Sequence, residues 1–219
     1  MGANYSENTY DLGSEILTNV QRSQYWNSRF ARSISDHWSI GGFANASSSL
    51  FSNHKLFASV YPGIEYNVYP YSESSKHQMR LTYHAGAEQR YYNDTTIYNK
   101  LNESLAGNQL SVAYMVQEKW GSITSSVTGT AYFHDFSQNS LRFYTSVDVR
   151  LFKGFSFYFS GNLSLIRNQL NLVKGDASDA DILLQQRNIA SSYTYWGNAG
   201  FTYTFGSIYN SIVNPRFND

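Results

Sequence analysis

Apolar and polar side chains alternate one by one along much of this sequence, and this two-residue period restricts the possible fold more than any other feature. Over residues 140–151, the odd positions are Leu, Phe, Thr, Val, Val and Leu, whereas the even positions are Ser, Arg, Tyr, Ser, Asp and Arg. The turn Lys153-Gly154 follows, and the alternation resumes over residues 155–165. Because successive side chains of a strand point to opposite faces, these stretches predict a β-hairpin.

The predicted strands are numerous and long. The same alternation recurs, with weaker phase in the first two stretches, over residues 16–34, 38–51, 56–68, 80–90, 110–117, 123–134 and 193–205. Strands of ten or more residues exceed the usual ~5–6 of soluble proteins and match the ~9–11 residues that cross a bilayer at a tilt. Nine strands are clear. Single-chain bacterial barrels usually have an even number of strands, so we expect ten strands, with eight or twelve as alternatives. Either the tenth strand is a degraded first strand over residues 3–12, or part of the first strand lies upstream of residue 1.

The predicted connections alternate in length. Short turns are expected near residues 36–39, 71–77, 120–122 and 153–154. Long polar segments lie at 91–106 and 167–191, with shorter ones at 52–55 and 135–140. Short turns at one end and long loops at the other are typical of an up-and-down barrel. The sequence therefore predicts an all-β fold, a transmembrane antiparallel β-barrel that forms one domain over residues 1–219.

Composition excludes several other classes of protein. The chain has no cysteine, which excludes a disulfide scaffold or a thiol nucleophile, and its 16 basic residues balance its 16 acidic ones, so nucleic acid is not an expected partner. The longest apolar run, residues 112–116, is far shorter than the ~20 residues of a spanning helix. The start of the chain is polar, without the apolar core of a secretory leader, and we expect a mature chain.

The two faces of the predicted strands differ in charge. One phase carries a set of ionisable residues that we expect as a polar ladder inside the barrel: Glu65, Arg80, His84, Glu88, Arg90, Arg142, Asp148 and Arg150. The other phase is nearly free of charge and has aromatic residues near the strand ends: Tyr66, Tyr91, Tyr92, Trp120, Phe155, Tyr193, Tyr195, Tyr203 and Phe205. Aromatic girdles and a polar interior are features of membrane barrels. The alternative is a soluble lipocalin-like carrier, in which the two faces are exchanged.

Several short stretches carry a resemblance to a known group. They are residues 36–43 (DHWSIGGF), 132–136 (YFHDF), 201–207 (FTYTFGS) and 213–217 (VNPRF). With them the chain resembles small outer-membrane β-barrel proteins of Gram-negative bacteria that have no established activity. The resemblance implies the fold and a location in the bacterial outer membrane. One departure is that such barrels end on an aromatic residue, whereas fourteen residues follow Phe205 here, so either Phe217 takes that place or a tail follows the last strand.

The candidate catalytic residues are few. His134, Asp135 and Ser137 lie together at a predicted strand end, where a histidine can act as base for a hydroxyl or a water. They support, as an alternative function, a membrane-embedded hydrolase or acyltransferase. A polar strand end that leads into a loop explains the same residues without catalysis.

Metal and cofactor sites are not predicted. The five histidines lack metal-ligand spacing, and Asp176, Ser178, Asp179 and Asp181 indicate the capped start of a short helix over 182–186 better than a calcium loop. We therefore expect a structural or interaction protein or a narrow passive pore. These features favour a protein without enzymatic activity over an enzyme. Its expected partners are outer-membrane lipids and other envelope proteins.

Overall fold

The fold is described by a computed structural model for residues 1–11, 16–174 and 192–205. Ten strands and one short 3-10 helix, Tyr71–Glu73, are present in this part of the chain. The strands are β1 (Gly2–Asp11), β2 (Ile16–Ser33), β3 (Trp38–Ser49), β4 (His54–Asn67), β5 (His77–Tyr92), β6 (Asn102–Glu118), β7 (Gly121–Tyr132), β8 (Asn139–Phe152), β9 (Phe155–Ile166) and β10 (Ser192–Tyr203). Within the described ranges, no helix is long and apolar enough to cross a membrane.

All ten strands belong to one antiparallel sheet, in which each strand pairs with its neighbours in sequence. The expected all-β fold and the expected number of ten strands are confirmed, and residues 3–12 largely coincide with β1. β6 begins at Asn102, well before the predicted residue 110, because the alternation of residues 102–109 is too weak to signal a strand. The predicted helix over 182–186 and the stretch 213–217 lie outside the described residues.

The sheet has two free edges in the described part of the chain. β1 pairs with β2, β10 pairs with β9, and no pairing joins β1 to β10 there. The closed ring predicted from the sequence is thus absent from the described residues, which form an open sheet.

The strand register sorts the side chains into two rows of opposite character. One row of directly paired residues runs from β4 to β10 and is polar throughout: Glu65, Thr82, Ser111, Thr128, Arg142, Ser164 and Thr194. The adjacent row is apolar: Ile64, Tyr83, Leu110, Gly129, Leu141, Leu165 and Tyr193. Because directly paired residues lie on the same face, one face of the sheet is polar and the other is apolar.

The polar face is the concave one. Ser59 and Glu88, on the polar face, are 4% and 8% exposed, whereas Val60, on the apolar face, is 60% exposed. Side chains of strands that are not neighbours also meet on the polar face, since Arg90 of β5 contacts Tyr132 of β7. The sheet therefore curls around its polar side chains and presents its apolar side chains to the outside.

The convex face of β3–β10 is almost free of charge. Its only Asp, Glu, Lys or Arg residues are Lys55, in the irregular start of β4, and Glu118, at the end of β6. Tyr92 was predicted on this face, and that prediction is wrong. Its side chain is 4% exposed and donates a hydrogen bond to Glu103, because neighbouring residues of a strand, here Tyr91 and Tyr92, point to opposite faces.

Glycine permits close contact between β4 and β5. A Cβ atom at Gly86 would overlap the Val60 carbonyl oxygen and lie 2.8 Å from the Cα of Tyr61. At Gly129 of β7, the nearest atom would be 3.9 Å away. We predict that Gly86→Ala lowers the free energy of unfolding by about 1–3 kcal/mol through overpacking, whereas Gly129→Ala changes it by less than about 1 kcal/mol. Urea unfolding of detergent-solubilised protein measures both, and equal effects would contradict the packing described here.

Candidate functional site: the concave face and its cap

One end of the concave face is covered by connecting segments. This cap consists of the β3–β4 turn (residues 50–53), the β5–β6 loop (93–101) and the segment after β9 (167–174). Thr96 and Val173 form an isolated antiparallel bridge, and the Ile97 amide donates to the Leu172 carbonyl at 2.9 Å. Thr96 and Ile97 are 0% and 1% exposed, which makes them the most buried described side chains. Among the described residues, the most deeply buried side chains therefore lie in a loop rather than in the sheet.

Asn53 joins the three parts of the cap. Its side-chain amide donates to the Asp94 carbonyl at 3.0 Å and to the Asn171 carbonyl at 3.1 Å, and its side-chain oxygen accepts from the Asp94 amide at 2.8 Å. Its φ of 56° lies in the left-handed region, which asparagine tolerates better than most residues. Asn171 donates in return to the Ser52 carbonyl at 3.0 Å. These bonds connect positions 118 residues apart.

A small apolar cluster lies beneath the cap. Leu170, at 3% exposure, packs with Leu105 of β6 and Tyr132 of β7, and Tyr98 of the β5–β6 loop covers them. Burial raises the pKa of Tyr98, and the charges of Glu103 and Asp135 act in the same direction. The cluster excludes water from the strand ends below it and holds the segment 167–174 against the sheet.

A buried ion pair lies next to this cluster on the concave face. Arg90 donates from Nε at 2.8 Å and from Nη2 at 2.7 Å to Oε1 of Glu88. The Tyr132 hydroxyl accepts from Arg90 at 2.7 Å and donates to Glu88 at 2.9 Å, and Tyr61 donates to the other carboxylate oxygen at 3.3 Å. The guanidinium also lies 5.5 Å from the ring centroid of Phe57. Both charges are thus hydrogen-bonded, as a buried pair requires.

The predicted polar ladder is only partly a connected network. The register places its eight residues on the concave face, but ion pairs form only between Glu88 and Arg90 and, at 3.9 Å, between Glu65 and Arg80. Arg142, Asp148 and Arg150 of β8 have no ion-pair partner within 4.0 Å in the described chain. His84 lies between the two pairs on β5, opposite Gly63.

Sequence analysis did not identify the residues that complete the buried pair. The alternation of β4 and β7 places Tyr61 and Tyr132 on the polar face, and this was the one sequence feature that could have indicated their role. No sequence feature indicates the role of Asn53, because its hydrogen-bond partners are distant in sequence.

The candidate catalytic residues do not form a relay in the structure. The Ser137 hydroxyl donates to Asp135 at 2.6 Å, and the Ser137 amide donates to the same oxygen at 2.9 Å, which is a local turn arrangement. These bonds hold the pKa of Asp135 below its usual value. The His134 ring contacts the Tyr132 ring in a tilted arrangement, with centroids 5.7 Å apart and an interplanar angle of 37°. Across the described ranges the His134 imidazole has no hydrogen bond to a hydroxyl or a carboxylate, so no geometric observation favours the hydrolase.

No metal centre is formed by the described residues, in which no three His, Cys, Asp or Glu side chains converge. Comparisons with protein-family models, with curated proteins and with solved structures found no match for this chain. Function is therefore argued from the two faces, the buried pair and the cap.

Removal of one partner of the buried pair tests its contribution to stability. Arg90→Met leaves Glu88 buried without its counter-charge, and we predict a loss of about 3–5 kcal/mol in the free energy of unfolding. The matched control is Arg142→Met, which removes an exposed arginine of the same face and should cost less than about 1 kcal/mol. Urea unfolding followed by tryptophan fluorescence measures the difference, and a small loss for both variants would contradict a stabilising pair.

Proposed function

We propose that this protein is a transmembrane β-barrel of a Gram-negative outer membrane, with a polar lumen that the cap closes at the long-loop end. The observation that carries the proposal is the orientation of the two faces. Apolar side chains such as Val60 and Leu110, 60% and 53% exposed, cover a convex face that is nearly free of charge over β3–β10. A soluble protein would expose an apolar surface far above the usual patch size. In a bilayer the same surface contacts lipid.

The proposal requires that β1 and β10 pair with each other. A bilayer core offers no hydrogen bonds to the backbone, so the unpaired edges of an open sheet are unfavourable there. A closed ring of strands has no unpaired edge and avoids this cost. Because ten strands alternate in direction, β1 and β10 run antiparallel, as closure of an even-stranded barrel demands.

The aromatic residues of the convex face support a membrane location. At the short-turn end, Phe155 stacks with Phe152 at 4.8 Å and with Phe201 at 5.4 Å between ring centroids. At the long-loop end, Tyr193 stacks with Tyr195 at 6.2 Å. Aromatic residues at both ends of the strands correspond to the two girdles that place a barrel in the headgroup regions.

The cap and the concave side chains favour a structural or interaction role, or a narrow passive pore, over a wide channel. A ten-stranded barrel lies near the size at which side chains fill the interior, far from the ~16–18 strands of water-filled porins. Here Tyr61, Tyr132 and the Glu88–Arg90 pair occupy the concave face below the cap. The expected partners are outer-membrane lipids and other envelope proteins.

Adjacent positions of β8 test which face contacts lipid. Val147 is on the apolar face and Ser146 on the polar face. We predict that Val147→Arg destabilises the folded protein in lipid by about 2–4 kcal/mol, the cost of arginine at the bilayer midplane. Ser146→Arg should destabilise it less. Folding into lipid vesicles is followed by the shift in gel mobility between unheated and boiled samples. If Ser146→Arg proves the more damaging variant, or if the wild type is soluble without detergent, the lumen and lipid faces are exchanged and a lipocalin-like carrier replaces the barrel.

Conductance tests the closure of the lumen by the cap. We predict that wild-type protein in a planar bilayer gives at most small and irregular conductance. Leu170→Asp places a charge in the apolar cluster, and it should loosen the cap and produce frequent openings. Val173→Asp, in the same segment but 46% exposed, is the control and should behave as the wild type does. Large, stable steps from the wild type would contradict a closed lumen.

A further inference from the structure

A cavity lies on the concave face between the Glu88–Arg90 pair and the short-turn end of the sheet. It has a volume of about 540 Å³ and is lined by residues of β2–β6 and by Tyr71 of the β4–β5 connection. Arg29, Arg32, Arg80 and His84 line it, and Glu65 is the only acidic residue among the described residues of its lining. Arg32 is on the convex phase of β2, so on the concave side two arginines, Arg29 and Arg80, accompany one glutamate, an excess of one positive charge.

The two arginines have unused hydrogen-bonding capacity. Arg29 has no acidic group within 4.0 Å anywhere in the described chain. Arg80 approaches Glu65 at 3.9 Å, which exceeds hydrogen-bond length, and Glu65 instead accepts from the Thr82 hydroxyl at 3.2 Å. A guanidinium group has five N–H donors in a fork that matches the oxygens of an oxyanion.

His84 provides a third polar group without a partner. Its Nδ1 atom is buried and has no hydrogen bond in the described protein. The ring is held in place by Phe43, with centroids 5.1 Å apart, and by the close approach to Gly63, where a side chain would collide with it. A buried polar atom without a partner is unfavourable, and both the aromatic neighbour and the glycine fix the ring at the wall of the cavity.

We propose that this cavity binds a small free oxyanion of the phosphate type, which enters from the short-turn end and is held by Arg29 and Arg80. Bidentate arginine–oxyanion contacts are among the strongest hydrogen bonds in proteins, and an excess of positive charge in an enclosed lumen concentrates anions. The site rests on the proposed barrel, because β7–β10 would form the wall opposite these residues. It adds a specific ligand class to a lumen for which the proposed function gives none.

Titration calorimetry tests the site. Detergent-solubilised wild-type protein is titrated with sodium phosphate at neutral pH, and a control titration uses sodium chloride of equal ionic strength. We expect saturable binding of phosphate and none of chloride. Arg29→Gln and Arg80→Gln should each weaken binding about tenfold or more, the effect of losing a charge-assisted hydrogen bond. The control is Arg22→Gln, on the convex face of the same strand as Arg29, and it should bind as the wild type does.

Each outcome decides the proposal. Absence of saturable phosphate binding by the wild type would overturn it, and so would an equal loss of binding in Arg22→Gln, which indicates a general charge effect. If Arg29→Gln does not show the gel mobility shift of a folded barrel, the comparison of Arg80→Gln with Arg22→Gln decides. If the Val147→Arg and Ser146→Arg variants behave as predicted but the wild type does not bind phosphate, the proposed anion site is wrong and the proposed barrel is retained.

Discussion

Backbone pairing in a constant register is the interaction on which the other features of this structure depend. The pairing continues from β1 to β10, and its irregularities, at residues 47–49, 54–56 and 150–152, all lie near strand ends. Because a shift of one residue would move every side chain to the opposite face, the absence of shifts in the middle of the strands keeps the polar row and the apolar row separate across the sheet. The concave cavity, the buried ion pair and the low charge of the convex face over β3–β10 all follow from that separation.

The cap adds long-range contacts that the sheet itself lacks. Neighbours in the sheet are neighbours in sequence, whereas Asn53 and Asn171 join the first half of the chain to the segment after β9. This contact joins distant parts of the curled sheet near the Glu88–Arg90 pair, and the desolvation penalty of that pair is offset only because both charges are hydrogen-bonded. Below the pair, Arg29 of β2 and Arg80 of β5 line the open cavity of the concave face. The concave face thus has a covered half, which holds the ion pair, and a half with free arginine donors.

The sequence was sufficient for most strands, because the two-residue period of stretches such as residues 140–151 depends only on local geometry. It missed the first eight residues of β6, where that period is weak. It also placed Glu88 and Arg90 on one face. It failed where contacts depend on the folded chain: nothing near Asn53 signals a partner 118 residues away, and nothing near residue 97 signals that Ile97 is fully buried. The error at Tyr92 arose because an aromatic cluster at a strand end was assigned to one face, although adjacent residues of a strand cannot share it.

The closure of β1 onto β10 is the central claim, and disulfide formation in this cysteine-free chain tests it most directly. Ala3→Cys, on the convex face of β1, is combined in turn with a cysteine at positions 195, 197, 199 and 201 of the same face of β10. Positions 196, 198 and 200 of the concave face serve as controls. Paired strands bring the Cβ atoms of facing residues to about 4.5–5.5 Å, close enough for a disulfide. A closed barrel predicts an intramolecular disulfide at one or two neighbouring odd positions and none at the even ones. Disulfides that form only between molecules, or at no position, would contradict a closed barrel.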